Sequence, residues 1–210
     1  MPGFQRIPYY TSLLIWIILP VILLAALSPS ACGRCDTETA LAQFHQAGGV
    51  AQWVDRQEGH LMIRRFNVEE RCISLKYLPV IAEVKLLTLH GYDFDDNDLA
   101  ELARWNHLKG LHLIHNHEVT DAGIKRLASL KRLKQLIMWE NKVTDIETIS
   151  KLPFLAVLEI DHCPVTDSGL LSVQQTPTLR KLLLSNTKVT QAALVQLRKS
   201  LPLCDIENID

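Results

Sequence analysis

Charge is almost missing from the opening of this 210-residue chain: between Met1 and Gly33 the one Asp, Glu, Lys or Arg is Arg6. The other 44 charges fall on the remaining 177 residues, about a quarter of them, the ordinary density of a soluble domain. The chain therefore reads as two materials joined end to end. An excess of basic charge is also missing. Lys and Arg number 22 against 23 Asp and Glu, a net charge of -1, and this excludes the basic footprint of a nucleic-acid binder. Catalytic signatures are missing too: the chain holds no G-x-S-x-G, no H-E-x-x-H, no P-loop and no acid/base pair in a recognisable catalytic setting. The expectation is a protein that is not an enzyme and needs no cofactor.

What is there begins with an apolar block. Leu13 to Leu27 is apolar throughout, broken by Pro20, and follows Arg6, Tyr9, Tyr10, Thr11 and Ser12. Its 15 residues reach the upper end of a signal-peptide core and fall short of the ~20 that span a bilayer as a helix. Counted from Tyr9 to Ser30, the uncharged stretch is long enough for a tilted anchor. Ser28, Ser30 and Ala31 offer a cleavage site, and Cys32 behind them resembles a lipoprotein box, with Pro29 in place of the usual aliphatic residue. Pro20 at mid-block speaks against a buried core helix. Residues 1-30 are thus expected to be a signal peptide or an N-terminal membrane anchor. Either way the body would lie outside the cytoplasm, secreted or attached to the membrane through this segment.

One apolar frame repeats through residues 84-210. It reads Val84/Leu87/Leu89, Leu108/Leu111/Leu113, Leu133/Leu136/Met138, Leu155/Leu158/Ile160, Leu179/Leu182/Leu184 and Leu201/Cys204/Ile206, at spacings of 24, 25, 22, 24 and 22 residues. A second shared element follows the first five frames: Val119-Thr120-Asp121, Val143-Thr144-Asp145, Val165-Thr166-Asp167 and Val189-Thr190-Gln191, with Phe94-Asp95-Asp96 as a looser first copy. Thr suits a helix N-cap and Asp the first turn, and Ile124/Leu127, Leu170/Val173 and Leu194/Leu197 continue at helical spacing. Each unit is then a short strand, a turn and a short helix. No unit can bury its own apolar face, so neighbours must stack.

LxxLxL followed by V-T-D-x-G-L resembles the leucine-rich-repeat family, in particular exported bacterial proteins with threonine- or cysteine-bearing repeats. The resemblance covers about Val84 to Ile206. It implies an α/β solenoid with one parallel strand per repeat on a concave face and short helices outside. It also implies a non-enzymatic module that binds another protein or other macromolecule through the concave sheet. The third unit, Val143 to Ile149, lacks the glycine of its neighbours and resembles the internalin type. The column that such repeats fill with Asn or Cys reads Tyr92, Asn116, Asn141, Cys163 and Thr187. The resemblance implies that this side chain points inward and satisfies loop backbone groups, which gives Asn116 and Asn141 a structural role, while Tyr92 departs from the pattern and suggests that the first unit is partly a cap.

Residues 31-83 do not fit the frame and are expected to be a linker and capping flank. Thr37 to Gln46 reads as a helix capped by Thr37 or Asp36, and Val50 to Val54 with His60 to Phe66 as a hairpin. Leu201 to Ile206 would be a short cap at the other end. Cys32-Gly33-Arg34-Cys35 lacks the preceding strand of a redox C-x-x-C. Cys163 and Cys204 read as buried small residues, and in an exported body Cys35 and Cys72 could pair. Asp93 to Asp98 fails as a calcium loop, since the sixth position is Asp98 and the twelfth Arg104.

Residues between the frame leucines alternate outward and mark the concave surface. Its candidate binding residues are His112, His115, Ile137, Trp139, Glu140, Glu159, Asp161 and His162, with Trp139 and Ile137 as exposed anchors among ionisable groups. Strands ~4.8 Å apart could aim His115, Glu140 and His162 at one ion, and two imidazoles with a carboxylate suit zinc. This metal site is the lesser alternative, because polar, histidine-bearing surfaces are ordinary in such folds. A further alternative is an intracellular or mitochondrial adaptor or assembly factor, since V-T-D-x-G-L repeats also resemble those of F-box-type receptors and of a small ATP-synthase-associated protein. The compact apolar opening with its single Arg is unlike an Arg-rich transit peptide, and residues 31-83 show no F-box segment.

Overall fold

The computed structural model describes residues 37–46, 50–65, 75–78, 80–91 and 94–209. The apolar opening, Cys32, Cys35, Cys72, Asp36, Tyr92 and Asp93 lie outside the described residues, and with them the anchor and the Cys35/Cys72 pair. Among the described residues no helix is long and apolar enough to cross a membrane.

Where the frame alternates, the chain is extended. The strands are β1 (Val50–Asp55), β2 (His60–Arg65), β3 (Leu86–Gly91), β4 (Gly110–Ile114), β5 (Gln135–Trp139), β6 (Val157–Asp161), β7 (Lys181–Ser185) and β8 (Asp205–Ile209). They form one sheet in sequence order. β1 and β2 pair antiparallel, and every later neighbour pairs parallel. Leu87, Leu111, Leu136, Leu158, Leu182 and Ile206 stand opposite one another in register, as do Leu89, Leu113, Met138, Ile160 and Leu184. These columns are closed to solvent and merge into one core with Phe94, Trp105, Ile124, Leu127 and Leu194 from the return segments. Each fully buried Leu stabilises the fold by about 1.5–3 kcal/mol. Because each coil shares its columns with its neighbours, that stability is held between coils as much as within them.

The return segments are α2 (Asp96–Glu101), α3 (Asp121–Arg126), α4 (Asp167–Leu170) and α5 (Gln191–Ser200), with a 3₁₀ turn at Glu147–Lys151 replacing the helix in the third unit. Caps form at Asp95, Thr120 and Thr190, whose side chains accept backbone N–H groups. Thr144 and Thr166 do not cap as the pattern predicts. The 3₁₀ turn is entered at Ile146, and the Thr166 hydroxyl bonds the Ser168 hydroxyl instead.

In three of these elements the Asp does more than complement a helix end: it reaches the next coil. Asp96 accepts the Thr120 N–H at 2.8 Å and the Thr120 hydroxyl at 2.6 Å. Asp121 accepts the Thr144 N–H at 2.7 Å, the Thr144 hydroxyl at 2.6 Å and the Asp145 N–H at 2.9 Å. Asp167 accepts the Thr190 N–H at 2.7 Å and its hydroxyl at 2.8 Å. Asp145, in the shorter unit, turns instead to the Glu147 N–H of its own coil. The glycine of V-T-D-x-G follows from this closeness, since a Cβ on Gly123 would collide with the Asp96 carboxylate.

The segment ahead of the repeats holds α1 (Thr37–Gln46) and the β1/β2 hairpin, and β2 continues directly into the repeat sheet beside β3. At the other end, Asp205–Ile209 is a full strand paired to β7, where only a short cap was expected. Cys163 is buried as expected, but Cys204 is only half-buried, next to β8 at the edge of the sheet.

Candidate interaction surface

After each central strand the backbone turns left-handed. His115, Glu140, His162 and Asn186 have φ of 57°, 54°, 49° and 48°, and Gly91 has φ of 140°. A non-glycine residue there costs about 1–2 kcal/mol, and the ladder offsets it. The His115 N–H donates to Trp139 O at 2.9 Å, the Glu140 N–H to Asp161 O at 2.9 Å, and the His162 N–H to Ser185 O at 3.1 Å. The turn swings the next residue inward. Asn116 donates its amide to Gly91 O and Ile114 O at 2.8 and 2.9 Å, and Asn141 to Leu113 O and Trp139 O, both at 3.1 Å. Cys163 takes the same place in the next coil, against Asp161 O. The strain recurs in consecutive coils, so it belongs to the fold; its effect is to set His115, Glu140 and His162 in one column at the sheet margin.

Three groups of side chains occupy this face. The first joins β2, β3 and β4: His60 Nε2 lies 2.8 Å from the Thr88 hydroxyl, which lies 3.3 Å from His112 Nδ1. Burial, then the charge of His60, pushes the His112 imidazole down to about 4. His60 is lowered by burial against the opposing pull of Asp55, and His90 by burial, then by the charges of His115 and Arg64. The second group is His115, His117 and Glu140. Glu140 Oε2 lies 3.0 Å from His115 Nδ1 and 3.7 Å from His117 Nε2, and the His90 ring stands 5.2 Å from that of His115. The third is built on β5 and β6. The Trp139 indole donates to Glu159 at 2.9 Å, and Asp161 accepts His162 Nδ1 at 2.9 Å and the Asn186 amide at 3.1 Å. Burial alone would raise the Asp161 carboxyl, but the bonds from Asn186, His162 and Ser185 hold it below the usual range.

The predicted surface residues therefore share one face without meeting at one point. His162 does not join His115 and Glu140, because the neighbouring Asp161 carboxylate captures its ring, and His117 takes the third place. Its signal was present in sequence: His115 and His117 flank the inward-pointing Asn116. Ile137, expected as an exposed anchor, is buried at 9% exposure, flanked in register by His112 and Glu159. Trp139, at 36% exposure, is the large apolar side chain this face presents at its centre. His60 was placed on a strand, but nothing in its alternation showed that this strand would extend the repeat sheet. A separate apolar cleft lies between the return segments, lined by Leu170, Leu171, Ala193 and Leu197.

No protein-family model matches the chain, and no curated protein matches it. Among solved structures it is similar to a leucine-rich-repeat protein of Leptospira interrogans, with 24% identity, a TM-score of 0.47, and coverage of 60% of this chain and 31% of that one. It is similar also to an internalin of Listeria monocytogenes, with 15% identity, a TM-score of 0.37, and coverage of 62% and 49%. Internalin C2 of the same organism gives 17%, 0.39, and coverage of 69% and 80%. The chain spans less than half the length of the first two. The class rests on the coordinates themselves. Successive parallel strands in sequence order, each followed by a short helical return and sharing stacked inward leucines, define an α/β leucine-rich-repeat solenoid.

Proposed function

We propose that this chain is a non-enzymatic interaction module that binds a protein partner through the solvent face of its sheet, the concave side of such a solenoid. Residues 1-30 export or tether it, so that the body acts outside the cytoplasm. The observation that carries the binding reading is Trp139. An indole at 36% exposure, held by its bond to Glu159 and set among ionisable groups, is a rigid apolar anchor with a polar rim. Its ring is ordered before a partner arrives, so little side-chain entropy is lost on contact. Support for export comes from the sequence, in the opening whose one charged residue is Arg6 and in the small residues at its end.

The test is affinity capture from the source cell envelope with the full chain and with Trp139→Ala. A partner captured by the wild type should bind the variant about thirtyfold more weakly, the effect of losing an anchor worth ~2 kcal/mol, with circular dichroism unchanged. Equal capture by both would contradict the reading. Recovery of the chain from the cytoplasm with its opening segment intact would contradict the location.

A further inference from the structure

We propose that His115, His117 and Glu140 form a binding site for a divalent transition metal of the zinc class. The three side chains offer two imidazole nitrogens and a carboxylate oxygen, all within 4.8 Å of one another. Ligands about 2.0–2.2 Å from a tetrahedral zinc lie about 3.3 Å apart. The two approaches to the same Glu140 oxygen, 3.0 Å from His115 and 3.7 Å from His117, bracket that spacing.

The backbone beneath the site is fixed independently of any ion. His115 and Glu140 occupy equivalent left-handed positions in adjacent coils, with their N–H groups tied to Trp139 O and Asp161 O. Between the two imidazoles, Asn116 is completely buried and anchored to Gly91 O and Ile114 O. His115 and His117 are therefore pinned on either side of an internal peg, and a metal would meet a turn already ordered. Each ligand residue is partly exposed, although His115 Nδ1 itself is closed to solvent, and this leaves room for water at a remaining position.

The charge around the set suits a dication. With neutral imidazoles the three ligands carry the single charge of Glu140. Lys142, two residues from Glu140, is engaged by Glu118 at 3.0 Å. His162 is held by Asp161 and stands outside the set. Imidazole donors favour zinc, copper and nickel over calcium or magnesium, and a set with two nitrogens and one oxygen makes the same choice.

The experiment is calorimetric titration of the untagged, chelator-stripped full chain with zinc chloride in detergent, cysteines alkylated beforehand so that thiolates take no part. One zinc per chain is expected. His117→Ala and Glu140→Gln should each weaken binding at least about tenfold, while His162→Ala should bind as the wild type does. His117→Gln serves as a second variant, and far-UV circular dichroism checks that each one is folded. Absence of stoichiometric zinc, unchanged affinity in folded His117 and Glu140 variants, or equal loss in His162→Ala would each overturn the assignment.

Discussion

Cutting one Asp–Thr link between coils tests how the solenoid is held together. In Asp121→Ala, the N–H groups of Thr144 and Asp145 and the Thr144 hydroxyl lose a common acceptor. A hydrogen bond to a charged group contributes about 1.5–3 kcal/mol. Thr144 is exposed, so water replaces part of what is lost, and the expected net cost is about 2–3 kcal/mol. Asp145→Ala is the matched control, because its carboxylate accepts a bond from its own coil, and it should cost less than about 1 kcal/mol. Burial alone would raise the Asp121 carboxyl, but the bonds from Asp145 and Thr144, with the charge of Lys125, hold it below its ordinary value. Its contribution is therefore complete above the unfolded carboxylate range near 4 and is lost as pH falls through the lower native value. Urea unfolding of the full chain in mild detergent, followed by circular dichroism at neutral pH and near pH 3, measures both effects. The gap between wild type and Asp121→Ala should narrow at the acid end. A cost below about 0.5 kcal/mol, a cost equal to that of Asp145→Ala, or a gap that widens in acid would refute the inter-coil role.

Two further outcomes follow from burial. Leu136→Asp should unfold the array, since it puts a carboxylate into a column with no solvent contact at a cost above about 4 kcal/mol; loss of the far-UV signal at neutral pH is the readout. The stability of the wild type should fall between about pH 6.5 and 4 more steeply than that of His112→Gln. The native imidazole is held down to about 4, so the unfolded chain binds the extra proton in this window, and the stability present above the unfolded value is lost as pH falls. The ceiling is about 3 kcal/mol, and partial solvent access reduces it to roughly 1–2 kcal/mol. Parallel stability curves for the two proteins would contradict the assignment.

Much of the architecture was legible because it is periodic. The leucines at Leu111, Leu136, Leu158 and Leu182 announce an inward column at a constant interval, and stacking is the one way to bury them. The same frame placed Trp139, Glu159 and Asp161 on the outward face. What escaped depends on atoms that meet across coils. Asp121 carries the same local signal as a helix-end acid, and its reach to Thr144 appears only once the coil-to-coil distance is known. The capture of His162 by Asp161 and the pairing of Glu140 with His117 depend on rotamers that spacing does not encode. Ile137 sits at an outward position, yet its neighbours in register leave it little exposure. Thr144 and Thr166 match Thr120 in type and position, but the third unit has a 3₁₀ turn entered at Ile146, which leaves Thr144 no helix end to cap, and the Thr166 hydroxyl is taken by Ser168.

The central claim, that the solvent face of the sheet is the partner-binding surface, is tested most directly by site-specific photo-crosslinking in the source cells. A photoreactive residue is placed at Gln135 or Leu183, on outward positions of β5 and β7, or at Ser129 or Ser150, on the return segments. The account predicts one crosslinked partner of constant mass from Gln135 and Leu183 and none from Ser129 and Ser150. Crosslinks confined to the return segments would contradict it.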